Sequence, residues 1–368
     1  MTDNLNVILS SGETYGHLKL ALALIECIKE QMPQSKIVFV GVNGRVQMDK
    51  VLPADIVKYS LTIVPVDRKN RYKNLMLPFY FGLSLIQSMK ILQQHRPDVV
   101  VGLGAYPSGP FVYAAALKKI PTIIIEPNVY PGKTNTFLKN KADKICISFS
   151  DTAVHFPKEK LVLTGTPIRN SIIHPSVDRD SSYKLFGLSP KLRTCLVTGG
   201  SSDSGEANRV ILDNVSLFAA NNIQLLWQTG EHDFAYVINT LKNKNLHHFR
   251  VLPFIEQMEQ AYAIADLAVS AGGAVTLAEL SVSGIPSIIL PSSTVTENHH
   301  MYNARAYSQK GACIIIEPSE IAEKLPEAVI DIISNEQKLQ QMSKRIRQLA
   351  KPQASKLIFD EIMKCVLK

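Results

Sequence analysis

The sequence is poor in cysteine and contains a single tryptophan. Its five cysteines lie roughly fifty or more residues apart with no C-x-x-C pair, so neither a zinc finger nor a disulfide framework is indicated and a reducing cytoplasm fits best. The amino terminus lacks a basic segment followed by a long apolar stretch, and no segment approaches the ~20 apolar residues of a membrane-spanning helix. We therefore expect neither a signal peptide nor an integral membrane protein.

The composition that remains is that of an ordinary globular protein. Of 368 residues, 46% are hydrophobic and 20% are charged, and the length predicts two domains because one domain typically takes ~150 residues. The net charge of +8 suits anionic ligands such as nucleotides or phospholipids without choosing among them. We find no RRM-like or helix-turn-helix pattern and no metal-binding motif, so we expect neither a nucleic-acid partner nor a metal.

Short apolar runs alternate with longer amphipathic stretches in two successive series, a pattern typical of βαβ units and parallel sheets. The first series predicts strands at 6–9, 36–40, 99–101, 122–125, 144–147 and 161–163. The second predicts strands at 194–198, 223–228, 250–252, 267–270, 287–290 and 313–316. We therefore predict an α/β protein with two Rossmann-like domains whose parallel sheets face each other across a cleft, with ligands beyond the carboxyl ends of the strands.

The segment 165–193 separates the two series. It contains three prolines, a polar run and no long apolar run, so we place the domain boundary at its start, with a first domain at 1–165 and a second at 166–341. The remaining 342–368 carries apolar residues in partly helical spacing around Pro352, which predicts a broken helix.

A glycine turn, 12–17, follows the first predicted strand and directly precedes a helical pattern. Glycines here let backbone N–H groups approach an anion at the start of the helix. The spacing matches neither a P-loop nor G-x-G-x-x-G, and a tight strand-to-helix connection explains it equally well. His17, at the carboxyl end of a strand, is placed for acid–base catalysis.

Two further glycine turns, 198–202 and 270–279, follow strands of the second series. In one interpretation, Thr276 and Glu279 form a capping box that satisfies N–H groups at a helix start. In the other, the backbone of 272–275 holds a nucleotide phosphate and the Glu279 carboxylate accepts hydrogen bonds from ribose hydroxyls. The residues alone leave both interpretations open.

These turns belong to a set of ordered motifs that resembles the MurG family, the N-acetylglucosaminyltransferases of peptidoglycan lipid II synthesis, over nearly the whole chain. The matching segments are 12–17 (family G-G-T-G-G-H), 104–110 (G-x-Y-x-S-G-P), 125–128 (H-E-Q-N), 131–135 (P-G-x-x-N), Arg169, 199–201 (G-G-S), 272–279 (S-G-A-x-T-x-x-E) and 299–304 (H-Q-x-x-N-A).

The resemblance implies a GT-B fold and an inverting transfer of GlcNAc from UDP-GlcNAc to lipid I, a polyprenyl-diphosphate-linked acceptor, giving lipid II. It implies that the second domain binds the donor, that the first binds the acceptor, and that 342–368 crosses back to the first domain. It also implies that no metal or other cofactor takes part, and that the enzyme is peripheral at the cytoplasmic face of the plasma membrane.

The resemblance also carries roles to individual residues, with His17 the first and Glu126 the second candidate for the catalytic base. The implied donor-binding residues are Thr14, Gly16, Asn128, Arg169, Ser201, Ile255, Gly273, Ala274, Val275, Thr276, Glu279, His299 and His300. The implied acceptor-binding residues are Gly12, Glu13, Tyr15, Tyr106, Ser108 and Asn135.

Several positions depart from the family pattern. Glu13 and Tyr15 replace glycines where bare backbone would approach the acceptor diphosphate, and Glu13 would repel that diphosphate. His300 replaces the glutamine associated with the donor sugar, and Ile125 replaces a histidine. Two alternatives therefore stay open: a GT-B transferase with another lipid or glycan acceptor, and a non-catalytic paralogue that binds a UDP-sugar or lipid.

A basic run, 68–73, leads into an apolar segment, 75–81. Such a run is usually a solvated loop beside a core helix, but cations next to exposed apolar residues also bind anionic membranes, at about 1 kcal/mol for each Lys or Arg near the surface. The family resemblance favours the second interpretation, with an anionic membrane surface as partner.

Overall fold

The computed structural model describes residues 4–12, 14–42, 48–66, 71–198, 205–242, 248–292 and 296–367. The chain divides into two compact units. The first comprises Met1–Asn170 with Lys351–Lys368, and the second comprises Ser171–Ala350. Each unit is an α/β domain built on one parallel sheet.

In the described part of the first unit, seven parallel strands form a sheet in the order β3-β2-β1-β4-β5-β6-β7. The strands are β1 Asn6–Ser10, β2 Lys36–Val42, β3 Val57–Leu61, β4 Val99–Gly102, β5 Thr122–Glu126, β6 Lys144–Ile147 and β7 Leu161–Leu163. The pattern of apolar runs missed β3, because in this edge strand only Leu61 is buried and Val57 is exposed.

The helices of this part of the chain are α1 Tyr15–Gln31, α2 Met48–Val51, α3 Leu77–His95, α4 Ala105–Leu117 and α5 Lys133–Leu138. Short 3-10 helices cover Arg71–Met76, Ser150–His155 and Lys158–Lys160. One core packs α1 against β1, with Leu18, Leu24 and Ile28 among its buried residues. A second core packs α4 on the other face, where Phe111 and Val112 are completely buried. The strands therefore carry apolar residues on both faces, as expected of a parallel sheet.

Strand β1 lies between β2 and β4, with Ser10 in register with Val40 on one side and Gly102 on the other. The strand order reverses between β1 and β4, since the chain runs from β1 outward to β3 and then returns to β4. The turns after β1 and β4 therefore meet at a topological switch point, where open α/β sheets characteristically bind ligands.

In the described part of the second unit, six parallel strands follow the order β10-β9-β8-β11-β12-β13. They are β8 Arg193–Val197, β9 Ile223–Gln228, β10 Phe249–Leu252, β11 Leu267–Ser270, β12 Ser287–Ile289 and β13 Cys313–Ile315. By the same reasoning, the switch point of this sheet lies between β8 and β11.

The next helices are α6 Asn170–Ile173, α7 Arg179–Phe186, α8 Gly205–Asp213, α9 Val215–Ala220, α10 Glu231–Leu241, α11 Met258–Ile264, α12 Ala274–Ser283, α13 His299–Ser308, α14 Ile321–Ile333 and α15 Glu336–Arg347. Short 3-10 helices cover Thr296–Asn298 and Pro318–Glu320. The core of this unit surrounds Trp227, the largest fully buried side chain described, whose Nε1 donates a hydrogen bond to Asn208 Oδ1 at 2.9 Å.

The last helix, α16 Ala354–Val366, belongs to the first unit and buries Ile358 and Ile362 in the core beside α1. The break before it contains Pro352, as the sequence pattern indicated. We placed the returning segment at 342–368 and the first boundary at 165, whereas the structure divides the units at 350 and 170. Packing accounts for the shift of both boundaries. Met342 lies in the core of the second unit, and the backbone N–H of Gly165 donates to the carbonyl of Ile147 in the first.

Among the described residues, one helical segment is long and apolar enough to cross a membrane: Asn74–His95, with 22 residues and an 18-residue window of mean hydropathy 1.4. The expectation that no segment approaches this length and apolarity is therefore wrong, since its few polar residues do not lower the average enough. A helix that packs on a globular domain passes the same test, and Ile91 and Leu92 are buried against that domain. One such helix is weak evidence for a membrane span.

Candidate functional site

The turn after β1 places His17 at the switch point of the first unit. Thr14 caps α1, and its hydroxyl oxygen accepts from the backbone N–H of His17 at 3.4 Å. The same oxygen lies 2.7 Å from Nδ1 of the His17 ring, where the direction of donation depends on the ring tautomer. Thr14 therefore fixes the ring through Nδ1. The imidazole is half-buried and turns its Nε2 edge toward Gly104.

The turns after β1 and β4 touch each other at this ring. A Cβ on Gly12 would lie 2.5 Å from Cβ of Ala105 and 3.3 Å from Nδ1 of His17, so any side chain there would collide with the neighbouring turn. Gly104 has φ +91° and Ala105 has φ +61°, a strained pair at the start of α4. In contrast, a Cβ on Gly16 would meet only Thr14 Oγ1, at 3.9 Å. Close packing therefore requires glycine at Gly12 and not at Gly16.

Glu126, the second candidate base, ends β5 with its carboxylate 1% exposed and fully hydrogen-bonded. Oε1 accepts from the backbone N–H of Asn128 at 3.0 Å and from its side-chain amide at 3.1 Å. Oε2 accepts from the backbone N–H of Gly132 at 3.0 Å and from Nδ2 of Asn135 at 2.9 Å. The carboxylate thereby holds the loop between β5 and α5 in one conformation.

The four hydrogen bonds to Glu126 argue against its acting as a base that takes a substrate proton. Burial raises the pKa of its carboxyl above the ordinary value, while the hydrogen bonds from Asn135, Gly132 and Asn128 oppose the rise. The four donors also occupy the directions from which a substrate hydroxyl would approach. We interpret Glu126 as a positioning residue for its loop and for Asn135 of α5, and Asn135 reaches the same glycine as His17. A Cβ on Gly104 would lie 3.7 Å from His17 Nε2 and 3.9 Å from Asn135 Nδ2.

The other sequence-predicted residues of the first unit differ in accessibility. Ser108 is completely buried, and its hydroxyl donates to the carbonyl of Ala105 at 2.9 Å. Asn135 is 2% exposed. The Ser108 hydroxyl and the Asn135 amide therefore do not lie at the surface. Four others are half-buried: Tyr15, Gly16, Tyr106 and Arg169. Glu13 and Ser201 lie outside the described residues.

In the second unit, the turn after β11 places the start of α12 at the switch point. Gly272 has φ +85°, and a Cβ there would lie 2.8 Å from Cγ2 of Ile289 and 3.1 Å from the carbonyl oxygen of His300, so glycine is required. Gly273 is the N-cap residue, and the first intrahelical bond runs from Leu277 N to Gly273 O. The N–H groups of 274–276 precede that bond and form the positive end of the helix, a suitable seat for a phosphate.

Because α12 starts at Ala274, Thr276 and Glu279 lie inside the helix and the capping-box interpretation is wrong. Glu279 is completely buried, and its Oε2 accepts from the hydroxyl of Tyr262 at 2.9 Å. Ile255, one of the implied donor-binding residues, is 2% exposed, and its backbone N–H donates to Gln228 Oε1 at 2.9 Å. Sequence reasoning missed Tyr262 and Gln228, because single polar residues in an apolar helix or strand form no local motif.

His299 and His300 begin α13 after two residues of left-handed backbone, Glu297 and Asn298. His299 Nε2 lies 3.2 Å from Oε2 of Glu297, which secures the start of the helix. His300 points instead toward the glycine turn, with Nε2 3.8 Å from the position of a Cβ on Gly273. The structure therefore brings His300 and the start of α12 together.

Comparisons with known proteins agree with this arrangement. The glycosyltransferase family 28 N-terminal domain matches residues 7–147, and the family 28 C-terminal domain matches 194–358. The UDP-N-acetylglucosamine--N-acetylmuramyl-(pentapeptide) pyrophosphoryl-undecaprenol N-acetylglucosamine transferase of Flavobacterium psychrophilum is 36% identical, covering 98% of this chain and 97% of that protein. Its namesake in Bacillus pumilus is 36% identical, covering 97% of this chain and 98% of that protein. The crystal structure of Acinetobacter baumannii MurG is 26% identical with a TM-score of 0.76, covering 98% of this chain and 99% of that one.

The chain belongs to the MurG family of glycosyltransferases. The family resemblance and the α/β GT-B fold predicted from the sequence are thereby confirmed, and membership makes the protein a UDP-GlcNAc-dependent glycosyltransferase. The roles of individual site residues stay predictions. Among the described residues, no group of three or more His, Cys, Asp or Glu side chains is arranged to hold a metal ion.

The position where the MurG family carries glutamine has a measurable consequence for stability. Burial lowers the pKa of His300 to about 4, from an ordinary value of 6.5. As the pH falls below 6.5, the unfolded chain therefore takes up this proton before the folded chain does, and folding loses free energy until about pH 4. We expect His300→Gln to remove this loss, so that the difference in urea unfolding free energy between pH 7 and pH 5 shrinks by about 1–2 kcal/mol. The same difference in unfolding free energy between pH 7 and pH 5 in wild type and in His300→Gln would contradict this prediction.

Proposed function

We propose that this protein transfers GlcNAc from UDP-GlcNAc to undecaprenyl-pyrophosphoryl-MurNAc-pentapeptide, lipid I, and so makes lipid II for the bacterial cell wall. The relatives that match nearly the whole chain carry this donor and this acceptor in their names. The observation that carries the proposal is the position of His17, a half-buried histidine held by Thr14 at the switch point of its sheet. It lies in the turn where Glu13 and Tyr15 stand in place of two family glycines.

In the proposed reaction, Nε2 of His17 accepts the proton of the acceptor sugar hydroxyl. The hydroxyl oxygen attacks the anomeric carbon of GlcNAc, and the bond from that carbon to the diphosphate breaks with its electron pair leaving on UDP. The configuration at the anomeric carbon inverts. The N–H groups at the start of α12 stabilise the charge that develops on the leaving diphosphate. The first unit thus binds the acceptor and the second binds the donor.

The direct test incubates the protein with radiolabelled UDP-GlcNAc and lipid I and measures label in lipid II. Formation of lipid II is the expected result. Binding of UDP-GlcNAc without transfer would support a non-catalytic paralogue, and transfer only to another polyprenyl or glycan acceptor would support the altered-acceptor alternative. The changed residues at the first turn, Glu13 and Tyr15, make this comparison of acceptors necessary.

Glu279 is proposed to accept hydrogen bonds from the ribose hydroxyls, although it is completely buried and its Oε2 accepts from the Tyr262 hydroxyl. We expect Glu279→Ala to raise the Kd for UDP about tenfold in calorimetry, the worth of one charge-assisted hydrogen bond. Tyr262→Phe is the matched variant, since it keeps the carboxylate and removes its partner. Direct contact predicts a Kd within about twofold of wild type for Tyr262→Phe. Equal losses in the two variants would mean that Glu279 acts by supporting α12.

Peripheral attachment to the anionic cytoplasmic face of the plasma membrane is proposed for the first unit. Leu75 and Phe79, at the start of the long apolar helix, are 75% and 61% exposed. The basic residues Arg68 and Lys69 just before them lie outside the described residues, and an adjoining cationic run suits anionic lipid.

We expect Phe79→Ser to lower the partition coefficient onto phosphatidylglycerol vesicles, measured by sedimentation, about tenfold or more, because one inserted aromatic side chain contributes roughly 1.5–3 kcal/mol when fully buried. Tyr236→Ser is the matched control, since Tyr236 is equally exposed, at 60%, but belongs to the second unit. Wild-type binding should also weaken as salt is raised. Equal losses in both variants would remove this surface from the proposal.

A further inference from the structure

The second unit has a cavity of about 670 Å³ at the opposite end of its sheet from the glycine turns. Its walls include Arg193 at the first residue of β8, Asp266 just before β11 and Pro286 just before β12. These are the amino ends of the strands, whereas the proposed phosphate seat lies at the carboxyl ends. The volume falls within the roughly 300–1,000 Å³ of small-molecule sites. The cavity is therefore separate from the proposed donor site.

Cationic side chains outnumber acidic ones by one in the described lining of this cavity, four against three. Arg193 donates from Nη1 to Asp266 Oδ1 at 3.0 Å and forms an ion pair with Glu336 through Nη2, so it satisfies both carboxylates itself. The three other cations of the described lining, Arg179, Lys344 and Arg347, form no ion pair with these two carboxylates, and Glu259 is the third acid. This imbalance favours an anionic occupant.

Arg347 is held in place by the backbone of the helix it faces. Gly284 ends α12 with φ +71°, and a Cβ there would lie 1.9 Å from Nε of Arg347, so the guanidinium rests directly on the glycine. Lys344 lies three residues earlier on α15 and shares that face of the helix. Within the described chain, neither the Arg347 nor the Lys344 side chain makes a hydrogen bond or an ion pair.

We infer that this cavity is a second ligand site, specific for a small polyvalent oxyanion such as a molecule carrying two phosphate or carboxylate groups. A guanidinium on a fixed backbone offers paired N–H donors that match phosphate or carboxylate oxygens, and the lysine three residues away adds a second charge. Arg179, which already donates to the hydroxyl of Tyr183 at 3.3 Å, adds the third cation across the cavity. Buried apolar side chains beside them, Ile285 and Leu339, suit an organic framework between the anionic groups.

The test measures calorimetric binding of inorganic pyrophosphate, and separately citrate, to protein already saturated with UDP, with chloride as the monovalent comparison. UDP saturation keeps the diphosphate seat of the donor site occupied. We expect pyrophosphate or citrate to bind, and Lys344→Gln and Arg347→Gln each to weaken that binding about tenfold. Arg345→Gln is the matched control: Arg345 lies on the same helix and also packs on a left-handed glycine, Gly311, but does not line the cavity.

Glu259→Gln should have the opposite effect on binding, one that loss of folding cannot produce. Removal of the acid that lies outside the Arg193 ion pairs should tighten oxyanion binding about threefold or more. The inference is overturned if UDP-saturated wild type binds neither oxyanion. It is also overturned if Arg345→Gln weakens binding as much as Arg347→Gln, or if Glu259→Gln leaves affinity unchanged. Failure of lipid II formation would bear on the proposed reaction and not on this site.

Discussion

Replacement of His17 by alanine should lower turnover about 100-fold or more while leaving the Kd for UDP close to that of wild type. A positioned general base typically contributes 10²–10⁴-fold, and an equal fall in kcat and kcat/KM is expected when an interaction exists only in the transition state. UDP affinity is spared because the proposed diphosphate seat, at the start of α12, belongs to the other unit. Steady-state kinetics with lipid I and calorimetry with UDP measure the two quantities separately.

Thr14→Val is the companion variant to His17→Ala. It keeps the imidazole and removes the 2.7 Å contact between Thr14 Oγ1 and Nδ1, which orients the ring and fixes its tautomer. Because ring orientation is impaired and not abolished, we expect a loss of about fivefold to tenfold and a shifted pH profile of kcat/KM. Wild-type turnover in His17→Ala would refute the assignment and leave Glu126 as the base despite the four donors around it.

The sequence predicted most of the fold because buried parallel strands are continuous apolar runs. Strands β6, β7, β9 and β11 have the predicted bounds, and the other predicted strands agree with the structure to within about two residues. Strand β3 was not predicted because it is an edge strand that pairs only with β2, and Leu61 is its one buried residue. An edge strand with one buried residue leaves no periodic pattern for sequence reasoning to detect.

The candidate site was predictable as a set of residues but not as a set of partners. Local motifs indicated Glu126 and Glu279, since carboxylates at these points of the family pattern have assigned roles. What each carboxylate contacts depends on tertiary packing: Asn135 reaches Glu126 from nine residues along the chain, and Tyr262 reaches Glu279 from 17. Both carboxylates are almost completely buried, whereas charged side chains are usually exposed. Only the folded structure shows that hydrogen bonds compensate for that burial.

Glu126→Ala should destabilise the first unit by about 3 kcal/mol or more, since truncation leaves four hydrogen-bond donors in a buried site without an acceptor. Glu126→Gln should cost less, because one amide oxygen still accepts from two of the donors. Its amide nitrogen, however, faces the remaining two donors. Urea unfolding measures both losses. Glu159→Ala, the truncation of an exposed acid in the same unit, should change stability by less than about 0.5 kcal/mol.

The same variants decide between a positioning and a catalytic role for Glu126. If it positions Asn135, which reaches Gly104 beside His17, activity in Glu126→Gln should fall only moderately. Cooling or stabilising solutes should restore part of that activity, and the pH profile of kcat/KM should still be set by His17. If it takes the substrate proton, Glu126→Gln should lose about 100-fold or more in turnover at every pH, and neither cooling nor stabilising solutes should restore it. A stable but inactive Glu126→Gln would therefore return the carboxylate to the reaction, and the four hydrogen bonds would have to open during each turnover.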